Sequence, residues 1–79
     1  MQETVRLDPA DNVVTAIKPL EAGAAVESAI TTGLIPRGHK IAMSDIPKGD
    51  KIVKYGEIIG QATEDIAKGQ HVHVHNVTD

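Results

Sequence analysis

Four times along this chain of 79 residues, an aliphatic residue, two variable positions, a glycine, two more variable positions and a β-branched residue follow one another. The copies cover residues 20–26, 35–41, 46–52 and 66–72, with Gly23, Gly38, Gly49 and Gly69 at their centres. Pro36 and Pro47 stand two positions before Gly38 and Gly49. That is β-turn chemistry: proline presets φ and glycine accepts positive φ. Each copy predicts the end of one strand, a tight turn and the start of the next. The glycines lie 15, 11 and 20 residues apart. A solenoid would keep one period, so the pattern predicts a compact all-β domain of short strands.

Apolar runs place strands near residues 4–7, 13–18, 40–43, 52–54, 58–62 and 70–76. Tyr55-Gly56-Glu57 reads as a hairpin turn. Residues 24–33 are ambiguous. Ala24, Ala25, Glu27 and Ala29 allow one short helix, whereas Val26, Ile30, Thr31 and Thr32 favour a strand. Gly38, Gly49, Gly56, Gly60 and Gly69 read as turn residues. The last three residues are expected to fray.

Composition agrees with a β fold. The core must come from nine Ile, eight Val, three Leu and some Ala, because Tyr55 is the one aromatic ring and there is no Trp or Phe. The length predicts a single domain, residues 1–79. Without cysteine there are no disulfides, which fits a cytoplasmic location. No apolar run approaches the roughly 20 residues that span a membrane, and the first residues lack a basic and an apolar signal region. We therefore expect no membrane association. Net charge is −3, but residues 36–54 carry five cations (Arg37, Lys40, Lys48, Lys51, Lys54) against Asp45 and Asp50. A small anion suits that stretch. Nucleic acid does not, since an acidic chain with one aromatic ring lacks both usual drivers.

The chemistry-bearing stretch is Gly69-Gln70-His71-Val72-His73-Val74-His75-Asn76. On a strand His71, His73 and His75 would share one face, and Val72 and Val74 would face the core. Histidines two apart lie about 7 Å from each other on that face. A neighbouring pair can therefore converge on one metal ion, while the outer two, about 13 Å apart, cannot without a bulge. A third ligand must come from elsewhere. The alternation equally suits the solvated face of a strand. His39, beside Gly38, either completes a site or caps its turn. Lys40 and Lys54 are either anion ligands or solvated cations, and Tyr55 either meets a ligand or fills a gap in the aliphatic core. Asn76 would end the strand.

Together, Asp11-Asn12-Val13, Ile35-Pro36-x-Gly38-His39-Lys40-Ile41-Ala42, Asp45-Ile46-x-x-Gly49, Ile52-x-Lys54-Tyr55-Gly56-x-x-Ile59-Gly60, Asp65-Ile66-x-x-Gly69 and the final histidine run resemble one known family. This is the SAF-type domain of the altronate dehydratase family, including separate small subunits of altronate dehydratase and sulfolactate sulfo-lyase. The resemblance runs from about Leu7 to Val77 and implies a β-clip fold. It implies a larger lyase part carrying much of the active site, a small anionic sugar acid as substrate, and iron(II) or manganese(II) as cofactor. A chain ending at Asp79 is then expected to be a small subunit or an excised domain, inactive alone and capable of homo-oligomerisation.

The family's dehydratases take water from a sugar acid to give a 2-keto-3-deoxy acid. Such a reaction needs a base for the α-proton, help for the leaving group and positive charge beside the enolate. The resemblance makes His39, Lys40 and Tyr55 the catalytic candidates, Arg37 and Lys54 the substrate-binding ones, and His71, His73 and His75 the metal ligands. Galactarate dehydratases share the Gly-His-Lys and Tyr-Gly elements but not the final histidine run, so His39 is the better carry-over for shared chemistry. A rival expectation is a non-catalytic SAF module that binds carbohydrate or protein.

Overall fold

The computed structural model describes residues 8–78 and, before them, the backbone of the strand Thr4–Val5. Nine short strands follow in order: β1 (Thr4–Val5), β2 (Val13–Ala16), β3 (Ala25–Val26), β4 (Ala29–Ile30), β5 (Lys40–Ala42), β6 (Lys51–Lys54), β7 (Glu57–Ala62), β8 (His71–Val72) and β9 (Val77–Thr78). All pairings are antiparallel. The described residues contain no helix, so residues 24–33 take the strand alternative, as the hairpin β3–β4. The fold is all-β, as the pattern predicts. The expected strand 4–7 is observed at Thr4–Val5, and its last two residues lie outside the described residues. Among the described residues there is thus no helix long and apolar enough to cross a membrane.

A four-stranded sheet, β1-β2-β5-β8, forms the middle layer. Successive residues of a strand face opposite sides. Val14, Ala16 and Ile41 enter one apolar cluster with Leu20, Val26 and Ile35. Val13, Ala42 and Val72 enter a second with Ile46, Ile52 and Ile66. A sheet covered on both faces needs unbroken apolar runs, which is what Val13-Val14 and Ile41-Ala42-Met43 supply.

The four glycine turns account for both covers. Leu20 and Ile35 exchange backbone hydrogen bonds of 2.9 and 2.7 Å, and Ile46 and Ile66 exchange bonds of 2.7 and 2.8 Å. The copies thus pair as first with second and third with fourth, one pair over each face of the sheet. In every copy the glycine N–H donates at 2.8 Å to the carbonyl of a buried small residue: Thr31, Ala16, Ala62 or Ala42. Gly69 shows why glycine is required. Its φ is +90°, and a Cβ there would strike the carbonyl of Ile30. Gly60 corrects the turn reading. It lies inside β7, beside the bulge between Ile52 and Val53, and lacks a side chain because β9 crosses it at Val77 and Thr78. The chain end also departs from expectation, since Val77–Thr78 pair with β7.

Candidate active site

The strand expected over residues 70–76 stops at Val72. A single residue bends it. Asn76 is fully buried, accepts from the His73 N–H at Oδ1 (3.0 Å) and donates from Nδ2 to the His71 carbonyl (2.9 Å). Its own N–H donates to the His73 carbonyl at 3.1 Å, and its carbonyl accepts from Thr63 at 3.0 Å. The histidine run therefore curls into a turn held from within. Val72 stays in the core, but Val74 is 82% exposed, contrary to the alternation. The three histidines do not form an even row.

His39 meets them from the other side. Its turn is closed by its backbone, which donates to the Pro36 carbonyl at 3.0 Å, leaving the ring free for other contacts. His39 Nδ1 lies 2.7 Å from His71 Nε2, one nitrogen donating and the other accepting. The His39 ring stacks on His73 with centroids 3.6 Å apart and planes 8° from parallel. His71 and His75 approach to 4.9 Å at 35°. The structure thus joins all four histidines, from two segments 32 residues apart, into one cluster.

Burial tunes His71 and His73 toward neutrality. Desolvation lowers the His71 pKa first, and the neighbouring charges of His75, His39, His73 and Lys40 lower it further. His73 is lowered by desolvation and then by His39, Lys40 and His75. Desolvation also lowers Lys40, followed by the charge of Lys54. Neutral imidazoles are the form that ligates metals and accepts protons. His73 Nδ1 is buried with no hydrogen-bond partner, an orphan that a ligand would satisfy. By donor type, the set fits a divalent first-row ion. The stacked rings do not yet surround one point. Among the described residues no three His, Asp or Glu side chains are arranged to hold a metal.

The cations sort themselves. Lys40 lies in β5 between Thr15 of β2 and Val72 of β8. Lys54 ends β6 and places its ammonium 4.8 Å from the Tyr55 ring centroid. Tyr55 does not fill the core: it is half exposed on the two-residue turn between β6 and β7, with φ +57°. Gly56 follows at +73°, so both turn residues have positive φ, as a type I′ hairpin requires. Arg37 is exposed on the 36–39 turn, and no described contact ties it to the histidines. Lys48 and Lys51 are exposed as well.

Framing residues were harder to foresee. Asp11 Oδ1 accepts from Gly56 N–H at 2.8 Å. Asn12 bridges β6, accepting from Val53 N–H at 2.8 Å and donating to the Lys51 carbonyl at 2.9 Å. These two side chains hold the hairpin carrying Lys54 and Tyr55 against β2. The histidines take no part in a groove of about 400 Å³ across the Ile46–Ile66 pairing. Its Asp45 and Asp65 carboxylates each accept a backbone N–H, from Lys68 and Lys48, at 2.9 Å, which gives them a structural role.

Comparison with known proteins adds a family. The profile described as the altronate/galactarate dehydratase SAF domain matches residues 2–79. The chain is 40% identical over 80 residues to the altronate dehydratase of Bacillus subtilis (strain 168), covering 96% of this chain and 16% of that protein. It is 41% identical over 76 residues to the altronate dehydratase of Escherichia coli (strain K12), covering 91% and 15%. To the (2R)-sulfolactate sulfo-lyase subunit alpha of Chromohalobacter salexigens it is 46% identical over 43 residues, covering 54% and 46%. The chain thus spans 16% or less of the altronate dehydratases it matches.

Proposed function

Because the chain belongs to the altronate/galactarate dehydratase SAF-domain family, we propose that it forms the SAF part of a sugar-acid lyase. Together with a larger catalytic part, this lyase dehydrates altronate or a related aldonate to a 2-keto-3-deoxy acid. One observation carries the reading. His39, His71, His73 and His75 meet in one cluster beside Lys40, with only His75 exposed, on a domain that is a small fraction of its relatives' length.

The reaction balances simply. A base takes the proton from C2, the C3 hydroxyl leaves with a proton as water, and the enol tautomerises to the 2-keto acid. His39 or His73 accepts the C2 proton as a neutral imidazole, the form that burial favours for His73. The ammonium groups of Lys40 and Lys54 stabilise the negative charge that grows on the carboxylate and enolate. Tyr55 donates to a substrate hydroxyl. An iron(II) or manganese(II) ion held by His71, His73 and His75 would supply Lewis-acid help to the leaving group. The larger part covers the cluster and excludes water. A second reading has its own support: sulfo-lyase alpha subunits match at 46% and 48% identity, and the chain spans 46% and 63% of their length. That reading exchanges the leaving hydroxyl for sulfite.

The test is reconstitution. The chain is combined with the large part of an altronate dehydratase or the partner subunit of a sulfo-lyase, and each mixture is given altronate and sulfolactate. Keto-acid formation from altronate that depends on adding this chain supports the proposal. Sulfite release alone favours the second reading, and no turnover of either overturns both.

A further inference from the structure

The structure contains a second unsatisfied buried group besides His73 Nδ1, namely the hydroxyl of Thr15. Nothing in the sequence singles it out. Thr15 sits in the central sheet directly across from Lys40, so the two side chains share a face and lie side by side. Val72 flanks Lys40 on its other side, and His73 follows Val72. Lys54 comes from β6, which Asn12 fastens to β2. Thr15 and Lys40 therefore lie side by side on the two inner strands of the sheet, with the charge of Lys54 acting on Lys40 and that of Lys40 on His73. Among the described residues neither lysine is ion-paired. Lys40 and Lys54 repel one another, and Lys40 is partly desolvated.

Such a combination is unfavourable for the free chain. A buried hydroxyl without a partner carries a penalty comparable to a lost hydrogen bond, and two unpaired cations side by side weaken the fold. A bound anion removes both defects, because a carboxylate accepts from several donors at once and neutralises the pair. A carboxylate also fits the distribution of donors better than a metal would, since ammonium groups repel cations.

We propose that Lys40, Lys54 and the hydroxyl of Thr15 form a carboxylate-binding subsite, which anchors the acid group of the substrate beside the histidine cluster. The proposal rests on the sugar-acid reading above and deepens it. It places recognition of the carboxylate on this domain and leaves Arg37 outside it.

The experiment is an NMR titration of the 79-residue chain with sodium D-gluconate, against uncharged D-glucitol and against sulfate at equal ionic strength. Thr15, Lys40 and Lys54 signals shift with gluconate and stay still with glucitol. Thr15→Val weakens gluconate binding at least fivefold yet raises the melting temperature of the free chain, and Thr15→Ser restores binding. Should Thr15→Val fail to fold, Lys54→Met provides the same comparison from a half-exposed position. Unchanged affinity in these variants overturns the subsite, as does equal binding of sulfate or a response confined to Arg37. Gluconate binding without lyase activity after reconstitution would sink the lyase reading and leave the subsite standing. Full activity of Thr15→Val with unchanged KM would do the reverse.

Discussion

Replacing Asn76 tests how the histidine turn is built. The side chain is 0% exposed and makes two hydrogen bonds, to His73 N–H at 3.0 Å and to the His71 carbonyl at 2.9 Å. Asn76→Ala leaves both backbone groups without partners. At roughly 1–2 kcal/mol each, the loss is about 2–4 kcal/mol. A domain of this size has only about 4–12 kcal/mol in total, so the melting temperature should fall by more than about 8 °C. Asn76→Asp keeps the acceptor but turns the donor into a buried carboxylate facing the His71 carbonyl. That environment raises the carboxyl pKa above its unfolded value of about 3.9. A raised folded pKa means the favourable protonated form is present at low pH and lost as pH rises. The gap to the unmutated chain should therefore widen from pH 4 to pH 7. Urea unfolding at both pH values measures this, with His71 and His73 ring signals reporting the turn. A loss under 1 kcal/mol for Asn76→Ala, or an equal loss at both pH values for Asn76→Asp, would refute the reasoning.

Three further outcomes follow from the same geometry. Gly69→Ala must relieve both a φ of +90° and a clash with the Ile30 carbonyl, so it should destabilise by more than about 3 kcal/mol in denaturant melts. Gly33→Ala, where a Cβ meets open space, should stay within about 1 kcal/mol of the parent. His71 and His73 have folded pKa values below the unfolded 6.5. Their contribution to stability is therefore fully present above about pH 6.5 and lost as pH falls through the lowered values, and His71→Gln combined with His73→Gln should flatten that slope. Tyr55 is a bulky residue at φ +57°, so Tyr55→Asn should leave stability unchanged or raise it by up to about 1 kcal/mol while lowering turnover of the reconstituted enzyme. A stability loss above 2 kcal/mol would assign Tyr55 a structural role instead.

Much of the architecture was legible because glycine and proline punctuate it. The four turns, the Tyr55-Gly56 hairpin and the strands around residues 13–16, 40–42 and 57–62 follow from local chemistry. The pairing of those turns did not, since the Leu20–Ile35 and Ile46–Ile66 contacts join segments that no local rule connects. The site divides the same way. Alternation marked His71, His73 and His75 as a group, and the turn glycine drew attention to His39. The alternation failed at Val74 because one buried side chain, Asn76, outweighs the apolar preference of a valine by satisfying two backbone groups at once. Tyr55 read as core by composition, yet a turn needing two positive φ angles holds it at the surface. Thr15 carries no signal at all, because its interest lies in a partner it lacks.

Four histidines from two segments meet in one cluster, and the proposed function has a divalent ion bind there. Manganese(II) added to the chain at substoichiometric levels tests it directly, since the ion broadens NMR signals of the residues around it. Joint broadening of the His71, His73 and His75 rings is expected, with His39 beside them, lost as pH falls and the imidazoles take up protons. Broadening confined to Asp45 and Asp65, or none below millimolar manganese, would contradict it.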